Sequence, residues 1–95
     1  MYLRFQWDLR KARRNFAKHG VSFEEAQTIF FDPFFVTDAD LEHSEEEERL
    51  LSIGRSDAGR VLAVIHTEER EADYVLLRII SSRRATRIER QAYED

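Results

Sequence analysis

"RLLSIGRSDAGRVLAVIHTEEREADYVLLRIIS", residues 49–81, reads as three strands with two tight connections between them. "RLLSIGRS" and "RVLAVIHT" are apolar runs joined by "SDAG", a turn of Asp and Gly at hairpin length. The polar link "EEREAD" leads into "YVLLRIIS", the most β-prone run of the chain. Strands that follow one another through short turns build an antiparallel sheet.

The flanks add helices. "YLRFQWD" alternates Leu3, Phe5 and Trp7 with Arg4 and Gln6, the pattern of a half-buried strand. Asp8 is placed to cap a helix over residues 9–19, which Gly20 ends and whose dipole Lys18 and His19 oppose. Ser22 and Glu25 form a capping-box pattern ahead of a second helix with the stripe Phe23, Ala26, Ile29 and Phe30, and Asp32-Pro33 stops it. "FFVT", residues 34–37, reads as a short strand, and Ala85, Ile88 and Ala92 give the tail a helical spacing. The expected order is β-α-α-β-β-β-β-α. This is an α+β domain spanning residues 1–95: an antiparallel β-sheet of four to five strands, two N-terminal helices on one face and a short C-terminal helix.

Composition narrows the function. A chain of 95 residues with 42% apolar and 36% charged residues suits one globular domain with an ionic surface. It has no cysteine, so disulfides and thiolate metal sites are excluded. No apolar run reaches the roughly twenty residues of a membrane span, so no membrane role and a cytoplasmic location are expected. The net charge is −4, but residues 38–48 hold seven acids and no Lys or Arg, leaving the remainder at +3. That acidic stretch is expected to be an exposed, mobile loop, with His43 solvated within it.

Positive charge gathers near the C-terminus. Arg78 interrupts a strand between Leu76 and Ile80, and a guanidinium there needs an anion: an internal carboxylate or a bound phosphate. Arg83, Arg84, Arg87 and Arg90 surround the expected start of the last helix, where free N–H groups also favour anions. Glu89 either closes a capping box with Thr86 or, if the helix starts near Arg83, sits mid-helix as a free base. His66 lies towards a strand end with Glu68 and Arg70, and reads as an acid–base group or as polar rim; His19 reads as a helix cap. Neither histidine pairs nor spaced acids suggest a metal, and no cofactor motif, phosphate loop or nucleophile elbow is present. Arg, Glu, His and Tyr suffice for metal-independent RNA cleavage, in which the ribose 2′-hydroxyl attacks its own phosphate.

"WDLRKARRNFAKHGVSFEEAQTIFFDP", "HSEEEERLLSIGRS", "GRVLAVIHTEER" and "RIISSRRATRIERQAYE" together resemble the BrnT family of bacterial type II toxins. The resemblance covers nearly the whole chain; Ser82 stands where a smaller residue, often Ala, is expected. It implies a fold similar to RelE toxins, endoribonuclease activity, and neutralisation by a BrnA-like ribbon-helix-helix antitoxin. DNA would be met only through that antitoxin, and the complex leaves room for a homodimer. Carried onto this chain, the family blocks point to Arg70, Arg78, Arg83, Glu89, Arg90 and Tyr93; Lys18 and His19 match its "KHG". The expected catalytic set is Arg70, Arg78, Arg83, Glu89, His66 and Tyr93, with Arg84, Arg87 and Arg90 binding RNA. Arg78 and Arg83 are expected together at the mouth of the sheet, with Arg70 reaching the same phosphate. The alternative is a binding module whose arginines hold an antitoxin or RNA without cleavage; a third reading pairs the arginines internally with the glutamate run.

Overall fold

The computed structural model describes residues 2–40, 42 and 48–95. Five strands form one sheet: β1 (Tyr2–Gln6), β2 (Val36–Ala39), β3 (Leu50–Arg55), β4 (Val61–Arg70) and β5 (Tyr74–Arg84), in the spatial order β1-β5-β4-β3-β2. The helices are α1 (Leu9–His19), α2 (Phe23–Gln27), which runs on as a 3₁₀ turn (Thr28–Phe31), and α3 (Arg87–Glu94). The two hairpins expected from residues 49–81 form: β3 pairs antiparallel with β4, and β4 with β5. The expectation of a wholly antiparallel sheet is corrected at β1, which pairs parallel with β5. Alternation showed that β1 is half-buried, but strand direction depends on a partner some seventy residues away.

Local signals explain the helix ends. The Asp8 side chain accepts from the Lys11 N–H at 3.0 Å, and Gly20 takes the left-handed φ of 69° with its N–H on the Phe16 carbonyl at 2.8 Å. Ser22 caps α2 through the Glu25 N–H at 3.0 Å, but Glu25 does not complete the box. Its carboxylate is drawn away to Arg60. Val21, Phe23, Ala26, Ile29 and Phe30 pack against Leu62, Val64, Leu77 and Ile79 of the sheet, with Leu3, Phe5, Trp7 and Ala12 at the margin. The helical layer therefore covers one face of β1, β5 and β4.

A bulge in β5 decides which arginines point where. His66 pairs with Ile79 and Ile65 with Ser81, so Ile80 has no partner in the register. The helix-facing set accordingly changes from Leu77 and Ile79 to Ser82, three residues on and fully buried. Asn15 of α1 meets this irregular backbone. Its amide donates to the Ser82 and Val21 carbonyls at 2.8 and 3.0 Å, and its oxygen accepts from the Ser82 N–H at 3.0 Å. Ser82 is thus a packing and hydrogen-bonding position on the helix side, not a face-mate of Arg78.

The acidic stretch starts later than expected. Asp38 and Ala39 complete β2, and Asp40 is buried, its N–H donating to the Arg49 carbonyl at 2.8 Å. His43 and the glutamates at positions 45–47 lie outside the described residues. Among the described residues no helix is long and apolar enough to cross a membrane.

Candidate nucleic-acid interface

Four arginines converge where the β3–β4 turn, the end of β5 and α3 meet. Arg55, Arg60, Arg84 and Arg90 line a cleft of about 290 Å³ with Gly59, Val61, Ala85 and Glu94. The turn is closed by the Ser56 N–H on the Arg60 carbonyl at 2.8 Å and the Gly59 N–H on the Ser56 carbonyl at 2.9 Å. Gly59 takes φ 80°, which glycine adopts without strain. Arg55 and Arg60 therefore flank one tight turn, Arg55 paired with Val61 and Arg60 facing Ser56, and both line the cleft. The Ala85 N–H bonds the Val61 carbonyl at 3.0 Å, extending the ladder past Arg84 and delivering the chain to the Thr86 cap of α3, which carries Arg90.

The four charges are not equivalent. Arg60 is gripped by Glu25: its Nε donates to Oε2 at 2.9 Å, its Nη2 donates to Oε1, and Ser56 Oγ donates to Oε2 at 2.6 Å. These bonds, led by the guanidinium, hold the Glu25 carboxyl below the usual carboxylate range. Arg60 is thus a fixed wall of the cleft, with its charge largely answered. Arg55 donates to the Gly59 carbonyl at 3.1 Å, while Arg84 and Arg90 have no ion-pair partner among the described residues. Arg55, Arg84 and Arg90 are exposed, and guanidinium forks gathered in a cleft suit a phosphate.

The residues expected to carry catalysis are dispersed. Arg70 pairs with Val75 beside the β4–β5 turn, Arg78 with Thr67, and Arg83 with Ala63. From Val75 to Arg83 is eight residues of strand, roughly 25 Å at the usual rise. Arg70 and Arg83 cannot hold one phosphate, and Arg78 stands exposed between them on the face away from α1 and α2. Arg83 and Arg84 end β5 and do not enter the last helix; Arg87 is exposed at the start of α3 and does not line the cleft. Arg84 and Arg90 do line it.

Three proposed proton carriers are already engaged. His66 is fully buried in mid-strand, not at a rim. Its Nε2 shares a 2.6 Å hydrogen bond with Ser52 Oγ, which meets Thr37 Oγ1 at 2.6 Å, and its ring stands edge-on to Phe30. Burial pushes its pKa down to about 4. Glu89 accepts from Arg83 Nη1 at 2.7 Å, Arg83 Nη2 at 3.0 Å and the Thr86 N–H at 2.8 Å, while the Glu89 N–H bonds Thr86 Oγ1 at 3.2 Å. The capping-box reading therefore holds, and Arg83 keeps the Glu89 carboxyl below its ordinary pKa. Tyr93 donates its hydroxyl to Asp32, and burial followed by that carboxylate raises the phenol's pKa. His19 ends α1 as expected.

Arg55 and Arg60 were not singled out by the sequence, and Glu25 was expected in a capping box, not on Arg60. Two arginines flanking a four-residue turn was the available signal, since strand positions on either side of a hairpin turn are neighbours in space.

A family model described as the ribonuclease toxin BrnT of type II toxin–antitoxin systems matches residues 7–89. The chain belongs to the BrnT family. The crystal structure of the Brucella abortus ribonuclease toxin BrnT superposes with a TM-score of 0.57 at 25% identity, over 92% of this chain and 99% of that one. No curated protein matches. The BrnT match ends at Glu89, so the Arg83–Glu89 pair lies within it and Arg90, Tyr93 and Glu94 lie beyond.

Proposed function

We propose that this BrnT-family chain is a metal-independent endoribonuclease that holds an RNA phosphate in the Arg55–Arg60–Arg84–Arg90 cleft. The convergence of those side chains carries the reading. Attack of the 2′-oxygen on phosphorus expels the 5′-oxygen; the attacking hydroxyl gives up a proton and the leaving oxygen takes one. The arginines bind the non-bridging oxygens and stabilise the charge that grows on them. Glu94 is the carboxylate of the cleft and the candidate acceptor for the 2′-proton. Arg83 and Glu89 act as positioning residues, fixing the start of the helix that carries Arg90 and Glu94. The toxin works in the cytoplasm and is held in check by a BrnA-like ribbon-helix-helix antitoxin, through which alone it meets DNA.

A second reading, RNA binding without cleavage, is favoured by one observation: His66, Glu89 and Tyr93 are all committed to structural partners. Incubation with single-stranded RNA in EDTA separates the two. Cleavage is expected to persist without divalent metal, and to fall about 10²–10³-fold when Arg84→Ala removes one preorganised cation. RNA retained intact by the folded wild-type protein would establish the binding module instead.

A further inference from the structure

We propose that the groove between α1 and the start of α2 is the docking site for an acidic, apolar-anchored segment of the antitoxin. This rests on the toxin–antitoxin reading above and names the surface that serves it. The groove encloses about 430 Å³ and is floored by Trp7, Ala12 and Phe23, with Leu9 and Phe16 along one wall. Leu9 and Phe16 are 68% and 55% exposed, far more than a helix needs to expose when its own fold can cover it. Positions 9, 12 and 16 make one stripe on α1 at i, i+3 and i+7 spacing, while Asn15 and Ala12 already turn towards the sheet. The fold uses one flank of the helix and leaves the neighbouring apolar flank open.

Charge selects the occupant. Between Leu9 and His19, α1 carries Arg10, Lys11, Arg13, Arg14 and Lys18 and no acid. At 100° per residue Arg13 falls on the groove rim and Arg10 lies one step outward on the same side, while Arg14 turns to the far side of the helix. Glu24 is the opposing acid in the lining, on the α2 wall. A segment that sets Leu, Phe or Trp side chains against Trp7 and Phe16, and carboxylates against Arg10 and Arg13, satisfies both features. Nucleic acid would meet the cations but leave the apolar wall exposed. A second copy of this face would bring Arg10 and Arg13 against cations of the same pattern.

Trp7 is the only tryptophan of the chain, so its emission reports whether the groove is filled. The test uses the full chain, the purified antitoxin encoded beside it, and a labelled single-stranded RNA. The expected result is a blue shift of Trp7 emission on binding a Trp-free antitoxin, with slowed amide exchange along α1. The pair Leu9→Ser/Phe16→Ser and the pair Arg10→Glu/Arg13→Glu should each weaken antitoxin binding about 100-fold, as loss of a buried interface anchor does. RNA cleavage by these variants should stay within about threefold of wild type. Both variants replace exposed side chains, and a thermal melt within a few degrees of wild type confirms the fold. Antitoxin binding unaffected in both variants overturns the docking site while leaving the ribonuclease reading intact. So does loss of RNA binding with antitoxin binding preserved, or a wild-type dimer that the Leu9→Ser/Phe16→Ser pair dissolves. If no antitoxin complex forms at all, both the groove and the antitoxin part of the proposed function fall, and cleavage activity stands or falls by its own assay.

Discussion

His66 carries a pH dependence that its surroundings impose. It lies among Phe30, Ser52 and the helix-facing core, with Oε1 of the exposed Glu68 3.9 Å from its Nδ1. Burial outweighs the opposing hydrogen bond to the Thr67 backbone, and the folded-state pKa of about 4 lies below the value of 6.5 the side chain has when unfolded. The unfolded chain therefore binds more protons between those limits, and stability rises with pH across the window. All of His66's contribution is present above pH 6.5, and it is lost progressively as pH falls towards 4. Glu25, Asp32 and Glu89, whose folded pKa values are also lowered, add their own losses only below about pH 4.5. We expect wild-type Tm to fall from pH 6.5 to pH 4.5, by roughly 4–8 °C for each kcal/mol lost. His66→Gln should flatten that interval. Parallel Tm curves for the two proteins would show that His66 is not the titrating group.

At the scale of elements, α3 is held by its ends more than by a buried face. None of its residues is buried, and Ile88 is 78% exposed. Its N-terminus is fixed by the Thr86 capping box and the Arg83 fork on Glu89, its C-terminus by Tyr93 on Asp32. Asp32 also accepts from the N–H groups of Arg55 and Phe34, bonds that together outweigh the opposing effect of its burial and lower its pKa. Thr86→Ala should cost about 1 kcal/mol, the usual worth of an N-cap. Because α3 carries Arg90 and Glu94 to the cleft, RNA cleavage by Thr86→Ala and Tyr93→Phe should fall more than global stability does. Comparing cleavage rate with urea midpoint tests this; activity that only tracks the unfolded fraction would mean α3 is not part of the site. The same ends show how far sequence could be read. Asp8, Gly20, Thr86 and the turn at Gly59 announce themselves through backbone requirements confined to a few residues. The parallel pairing of β1, the bulge at Ile80 and the burial of His66 depend on which strand lies alongside, and no local pattern encodes that. Arg84 and Arg90 were legible as cations; that they meet Arg55 and Arg60 follows only from the completed sheet.

At the scale of the molecule, the proposed function asks an acidic chain to attract a polyanion, and the distribution of charge allows it. Seven acids fall within residues 38–48, and Asp38 pairs with Leu51, four residues along β3 from Arg55 and its cleft. What phosphate meets is the local field of the cleft, where Glu25 answers Arg60 and leaves Arg55, Arg84 and Arg90 to act. Three cations outside the Glu25–Arg60 pair, each on a phosphate of a single strand, should release counterions with a slope of log K against log salt of about −2, at roughly −0.7 per phosphate contact. Removing Arg84 and Arg90 together should bring the slope to about −0.7, with a large loss of affinity at low salt that narrows as salt rises. Glu25→Gln gives a contrasting signature. It frees Arg60 from its anchor, so the slope should steepen even as the wall loosens and cleavage falls. Fluorescence anisotropy of a labelled RNA across 50–300 mM salt measures all three proteins. If the double variant keeps the wild-type slope, the phosphates lie elsewhere, and the exposed Arg78 on the open face of β5 becomes the position to substitute next.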